Sequence, residues 1–220
     1  MSARDNILAR LRKGSAVPFA HANPLEDRWA EWQARQPPLG DLAEAFVLGV
    51  EAVSGKVLRV PDWTALAEAV GPWLAEYSVR SVMTGSEPRL EPLREALATT
   101  GNIDIRRYDR TLEEQKEEVF STDCGITTSH AAIAETGSVV LMVTPEEPRL
   151  LSLAMPVHLV VVEANTLVPT LADFITRGAY QQAMPGNLIV VTGASRTADI
   201  ELVLAMGVHG PRHYLVALVG

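Results

Sequence analysis

Four runs of consecutive apolar residues in the C-terminal half set the strongest limit on how this chain folds. They are Val139-Val140-Leu141-Met142-Val143, Val157 to Val162 (interrupted only by His158), Leu188-Ile189-Val190-Val191, and Tyr214 to Val219. A strand with one wet face alternates apolar and polar side chains, so strands apolar at nearly every position are buried on both faces, as in a central parallel sheet covered by helices. The N-terminal part of the same region supplies shorter strands between helical stripes. Asp41 to Val53 reads as a helix ending near Gly55, Val57 to Val60 as a strand closed by Pro61, and Asp62 as the N-cap of a helix through Tyr77. Val79 to Thr84 and Ile103 to Tyr108 read as strands, and Pro88 to Ala98, Leu112 to Glu118, Leu171 to Gly178 and Ala198 to Met206 as helices. This alternation predicts an α/β fold, a Rossmann-like three-layer α/β/α sandwich with a largely parallel central sheet.

Residues 1–39 differ in character. Ile7, Leu8 and Leu11 form a short apolar stripe, and Pro18, Pro24, Pro37 and Pro38 break the rest of the segment into short pieces. The reading is a helical N-terminal extension, 1–39, before an α/β domain, 40–220. Trp29 and Trp32, three apart in the charged stretch from Glu26 to Arg35, would dock on the main body or on a partner.

Composition narrows the function. The 220 residues carry 19 basic and 27 acidic side chains, a net charge of −8, which argues against nucleic acid as a partner because phosphates demand a concentrated basic surface. No apolar run approaches the roughly 20 residues that a bilayer requires, and no signal-peptide core follows the first residues, so a soluble, cytoplasmic protein is expected. A single cysteine, Cys124, can neither close an internal disulfide nor supply the thiolates of an iron–sulfur cluster.

Ligands of open α/β sheets gather beyond the carboxyl ends of the strands, which directs attention to the residues after each strand. Thr192-Gly193-Ala194-Ser195-Arg196-Thr197-Ala198-Asp199-Ile200-Glu201 follows one strand and precedes an expected helix. Gly193 permits a tight turn, Ser195 and Thr197 can cap free amides, and Arg196 adds positive charge beside the helix dipole, the parts of a carboxylate or phosphate site. A capped helix start with a solvated arginine explains the same residues, and Asp199 and Glu201 either satisfy the dipole themselves or orient Arg196.

The stretch from Cys124 to Ser138 is dense in small and hydroxylated residues. Glu135, in an apolar setting, is the candidate acid–base or nucleophilic carboxylate, with Thr136, Gly137 and Ser138 as ligand contacts; the alternative is a buried glutamate that caps backbone amides. His130 and Cys124 are weaker candidates. In Gly207-Val208-His209-Gly210-Pro211-Arg212-His213, His209 is the second catalytic candidate, and Gly210 and Arg212 would help to hold an anion. Pro211 denies His209 and His213 the helical spacing of a zinc pair, and no metal is expected. Thr84-Gly85-Ser86-Glu87-Pro88 repeats the strand–glycine–helix logic without a basic residue in the turn.

These ordered motifs together resemble the lactate utilization protein C family, the LUD domain: Ile126-Thr127 through Ala132 to Ser138, Arg149 to Leu153 with Pro156-Val157-His158, Ser195 to Glu201, and Gly207 to Arg212. The resemblance is strongest from Val119 onward, with Cys124 and Ala194 as mild departures. It implies the fold shared by glucosamine-6-phosphate deaminase, ribose-5-phosphate isomerase and CoA transferases. It further implies a non-redox subunit of a complex oxidising L-lactate to pyruvate, holding a small carboxylate or other anion, with no cofactor of its own and iron–sulfur clusters on a partner protein. The alternatives are a stand-alone enzyme acting on a phosphorylated or CoA-linked substrate and a pure interaction protein.

Overall fold

The computed structural model describes residues 3–15, 39–178, 186–198 and 204–220. The chain divides into two units at residues 38 and 39. In the first, a helix α1 spans Ala3–Ser15. Trp29 and Trp32 lie outside the described residues.

In the larger unit the first two helices begin at their predicted caps. Asp41 Oδ1 accepts from the amides of Ala43 and Glu44 at 2.8 and 3.1 Å and starts α2 (Leu42–Ala52). Asp62 accepts from the Ala65 amide at 2.8 Å and starts α3 (Trp63–Glu76). Each side chain satisfies an amide that the first helical turn leaves without a partner. After Pro88–Leu90, a 3₁₀ turn, come α4 (Glu91–Thr99) and α5 (Leu112–Phe120), the latter opened by a reciprocal capping box between Thr111 and Glu114.

Six strands form the central sheet: β1 (Lys56–Val60), β2 (Ser81–Thr84), β3 (Asp104–Arg107), β4 (Cys124–Thr128), β7 (Val157–Glu163) and β12 (His213–Val219). Their order is β1-β12-β7-β4-β2-β3 and every pairing is parallel. One face packs Val82, Ile126, Leu159 and Leu215 against Leu66 and Leu74 of α3 and Leu93 and Leu97 of α4. The other packs Val160, Val162, Tyr214 and Val216 against Phe46 and Val50 of α2 and against a second sheet.

That second sheet corrects one expectation. β6 (Ser138–Val143) and β9 (Asn187–Val191), read as central strands, belong with β5 (Ala131–Ile133) and β8 (Leu167–Val168) in a smaller sheet of order β8-β5-β6-β9, with β6 antiparallel to both of its neighbours. The inference of two-sided burial still holds for β6. Val139 and Leu141 face the central sheet while Val140 packs on Phe174 of α6 (Leu171–Arg177). Burial on both faces is a property of being sandwiched, and a second sheet sandwiches a strand as well as a helix does.

The second correction concerns residues 196–198 and 204–206. Where a helix is expected from Ala198 to Met206, Arg196–Ala198 (β10) and Leu204–Met206 (β11) pair antiparallel, with Thr197 opposite Ala205. Asp199 and Glu201 lie outside the described residues.

Candidate anion site at the topological switch point

From β2 the chain moves outward to β3 at one edge, whereas β4 and the strands after it build toward the other. The order therefore reverses between β2 and β4, and in sheets of this kind the crevice beyond the carboxyl ends of those two strands is where ligands bind. The residues there are Thr84 at the end of β2 and Gly85 after it, Thr128 at the end of β4 with Ser129 and His130 after it, and Glu163 at the end of β7.

Arg94 organises the loop after β2. Its buried guanidinium donates to Thr84 Oγ1 at 3.3 Å and to the carbonyls of Gly85 and Glu87 at 3.2 and 3.3 Å, and it pairs with Glu91. The loop so held carries Glu87 and Arg89. Glu87 Oε1 accepts from the Arg89 amide and from Arg89 Nε at 3.3 and 2.8 Å. Arg89 reaches across the crevice, donating from Nη2 to Thr128 Oγ1 at 2.8 Å and lying 3.7 Å from the Glu163 carboxylate. Desolvation works against its charge, but Glu87, Glu147 and Glu163 together outweigh that and hold its pKa above the ordinary value.

The far wall is the segment between β6 and β7. The Glu147 carboxylate accepts from the Thr128 backbone amide at 2.6 Å and from Thr128 Oγ1 at 2.8 Å, one donor to each oxygen. Burial pushes the Glu147 carboxyl up; the Thr128 donors and the Arg89 charge pull it down without cancelling that push, and Glu87 adds to it. Gly85 is required for this seat. A Cβ there would come 1.7 Å from the Glu146 carbonyl oxygen, which accepts from the Ser86 amide at 2.8 Å. Next to Thr128 in sequence, the buried Ser129 hydroxyl has no hydrogen-bond partner among the described residues, and the half-buried His130 packs edge-on against Phe174. Burial first, and the Arg89 charge second, lower the His130 pKa, so its imidazole is neutral at pH 7.

The structure thus joins two stretches that the sequence treats separately, the turn after β2 and the small-residue stretch after β4. Arg89, Arg94, Glu147 and Glu163 are not singled out by the sequence. The available signal is position: Arg89 follows Pro88 by one residue in the loop after β2.

The other anticipated residues lie elsewhere. Glu135 is exposed, not buried, and its amide donates to the Pro169 carbonyl at 3.0 Å. Thr136 Oγ1, Ser138 Oγ and Thr192 Oγ1 form a hydroxyl chain with 2.7 Å steps, and Gly137 lies against Gly49 of α2. Gly193 abuts Val53, and Arg196 Nη2 donates at 2.7 Å to both the Val53 carbonyl and Ser54 Oγ. Arg196 therefore sits at the carboxyl end of α2, the negative end of a helix dipole, and not beside a helix N-terminus. Ser195 is tied to the last turn: its amide donates to the Pro211 carbonyl at 2.8 Å, its hydroxyl accepts from the His209 amide at 3.3 Å, and Gly210 packs on its Cβ. Gly210, Arg212 and His213 line a cleft of about 370 Å³ with Tyr77 and Asp123 at the amino ends of the central strands, opposite the switch point. Cys124 is fully buried under α3 and α4, and burial raises its thiol pKa steeply. Among the described residues, no group of three or more His, Cys, Asp or Glu side chains is arranged to hold a metal ion.

Comparison with known proteins decides the family. The LUD-domain model matches residues 43–219. This chain belongs to the LUD-domain family. A relative in Neisseria meningitidis serogroup B, an uncharacterized protein, is 31% identical over all of this chain and 94% of its own length. The lactate utilization protein C of Halalkalibacterium halodurans is 32% identical, covering 66% of this LUD-domain chain and 65% of the relative. That of Bacillus subtilis is 30% identical, covering 68% and 67%. The chain thus spans about two thirds of the length of these two relatives. The crystal structure of a DUF162-family protein from Deinococcus radiodurans superposes with a TM-score of 0.61 at 21% identity, covering 84% of this chain and all of that one, and so shares the fold. In the LUD-domain chain no helix among the described residues is long and apolar enough to cross a membrane.

Proposed function

We propose that this LUD-domain protein is a non-redox component of a cytoplasmic L-lactate utilization system and holds a small carboxylate in the crevice between β2 and β4. The carboxylate cradle carries the reading. Thr128 presents an amide and a hydroxyl to the two oxygens of one carboxylate, and Arg89 supplies the cation beside them. Charge-assisted hydrogen bonds of this kind are the stronger class, and here they are partly withdrawn from water. The names of the Halalkalibacterium and Bacillus relatives supply the metabolic setting.

In this reading electrons from lactate travel through iron–sulfur clusters of a partner protein. The only cysteine here is enclosed in the core and offers no thiolate at the surface. His130, close enough to Arg89 for that charge to lower its pKa, is in this reading the polar group that meets the 2-oxygen of a hydroxy or oxo acid. Deleting the gene should abolish growth on L-lactate as sole carbon source. Wild-type and Arg196→Ala chains should restore growth and Arg89→Ala should not; undiminished growth of the deletion strain would refute the assignment.

A further inference from the structure

Glu147 holds the position that the proposed function assigns to a ligand. Its two oxygens take the two Thr128 donors, at 2.6 and 2.8 Å, and its charge faces Arg89. We infer that Glu147 is a resident occupant of the cradle, a carboxylate of the chain itself, which an incoming small monocarboxylate replaces. The inference rests on the crevice being the ligand site.

Charge balance favours exchange over addition. Arg89 already faces three carboxylates, those of Glu87, Glu163 and Glu147. With His130 neutral, a further anion would join a cluster that is already negative, in partly desolvated surroundings where Coulomb repulsion is weakly screened. Replacing Glu147 by the carboxylate of a ligand leaves the charge of the cradle unchanged and returns a poorly hydrated carboxylate to water.

The backbone is built for a side-chain departure rather than a loop opening. Glu146 is fixed over Gly85 by the Ser86 amide at 2.8 Å, and the Glu147 amide donates to Thr144 Oγ1 at 3.1 Å. With both anchors kept, rotation about the Glu147 side-chain bonds is enough to free Thr128, and Pro145 and Glu146 on the same segment are exposed, so solvent is adjacent. The ligand class is set by what the cradle accepts now: one carboxylate, bridged by two donors one residue wide. A tethered competitor acts at an effective concentration in the millimolar range or above, so it weakens the apparent affinity of any free carboxylate.

The test is titration of sodium acetate and sodium L-lactate into wild-type, Glu147→Ala, Glu147→Gln, Arg89→Ala and Arg89→Ala/Glu147→Ala proteins, read by calorimetry and thermal melts. Glu147→Ala should bind both anions at least tenfold more tightly than wild type, and acetate should raise its melting temperature saturably while leaving wild type nearly unmoved. The double variant should lose this gain. If Glu147→Ala fails to fold, Glu147→Gln, which keeps the size and one acceptor, should show the gain in smaller measure. Equal or weaker binding by the Glu147 variants, with Arg89→Ala weaker still, would overturn the resident-occupant role and leave the site standing. Absence of carboxylate binding to every variant would overturn both.

Discussion

His158 and Tyr214 lie side by side on β7 and β12, directly opposite in register, with their rings 6.1 Å apart and tilted by 37°. Both are enclosed between the central sheet and the layer of α2 and the second sheet. His158 Nε2 meets Thr127 Oγ1 at 2.9 Å, while among the described residues His158 Nδ1 and the Tyr214 hydroxyl have no hydrogen-bond partner. Burial holds the imidazole neutral, with its pKa pushed down to about 3.

Acid should therefore destabilise the fold through His158. Below the ordinary histidine pKa of about 6.5 the unfolded chain takes up a proton that the native chain refuses, so stability falls as pH drops from there toward 3. One such group contributes at most about 1.4 kcal/mol per pH unit. Urea unfolding between pH 7 and pH 4 should show a shallower loss for His158→Leu than for wild type, with a residual slope to which His130 contributes in the same direction. Identical slopes would place the proton uptake elsewhere.

Cys124 should be inert in the folded protein. It is fully buried and burial raises its pKa, so little thiolate forms and no reagent reaches it. Ellman's reagent should label it only at the rate of unfolding, and prompt labelling in native buffer would contradict the packing of α3 and α4 on β4.

The seam between α2 and the β5–β6 turn should tolerate no side chain. A Cβ at Gly49 would come 2.5 Å from the Gly137 amide nitrogen, backbone against backbone, whereas a Cβ at Gly186 meets nothing within 4 Å among the described residues. Gly49→Ala should cost about 1–3 kcal/mol, the range for overpacked sites, while Gly186→Ala should stay within roughly 0.5 kcal/mol of wild type. Denaturant midpoints of the two variants compare them directly.

Local chemistry is legible in the sequence where one residue acts on its neighbours. Asp41 and Asp62 cap α2 and α3 because the acceptor and the orphan amides lie within three residues. Double-sided burial of β7 and β12 is likewise written in their composition. Composition does not say which layer covers a buried strand, so β6 falls in the wrong sheet; β9, at the edge of the smaller sheet with Val190 exposed, is not enclosed on both faces as its apolar run predicts. Nor can Gly193 to Ala198 be told from the approach to a helix, since a glycine, two hydroxyls and an arginine serve the antiparallel pair of β10 and β11 equally well. The pairing of Arg89 with Thr128, 39 residues apart, depends on β2 and β4 being neighbours. Strand order is a long-range property with no local signature, and Glu147, brought in by a loop from the other sheet, depends on it twice over.

The central claim is that the ligand carboxylate binds at the switch point and not beside Arg196 at the β10–β11 pair. Arg89 and Arg196 separate the two, because Arg89 bonds Thr128 in the crevice, Arg196 bonds Val53 and Ser54 at the end of α2, and neither is buried. Titration of sodium L-lactate into wild-type, Arg89→Ala and Arg196→Ala proteins should show affinity lowered at least tenfold by the first substitution and unchanged by the second. Loss of binding in Arg196→Ala with full retention in Arg89→Ala would contradict the account.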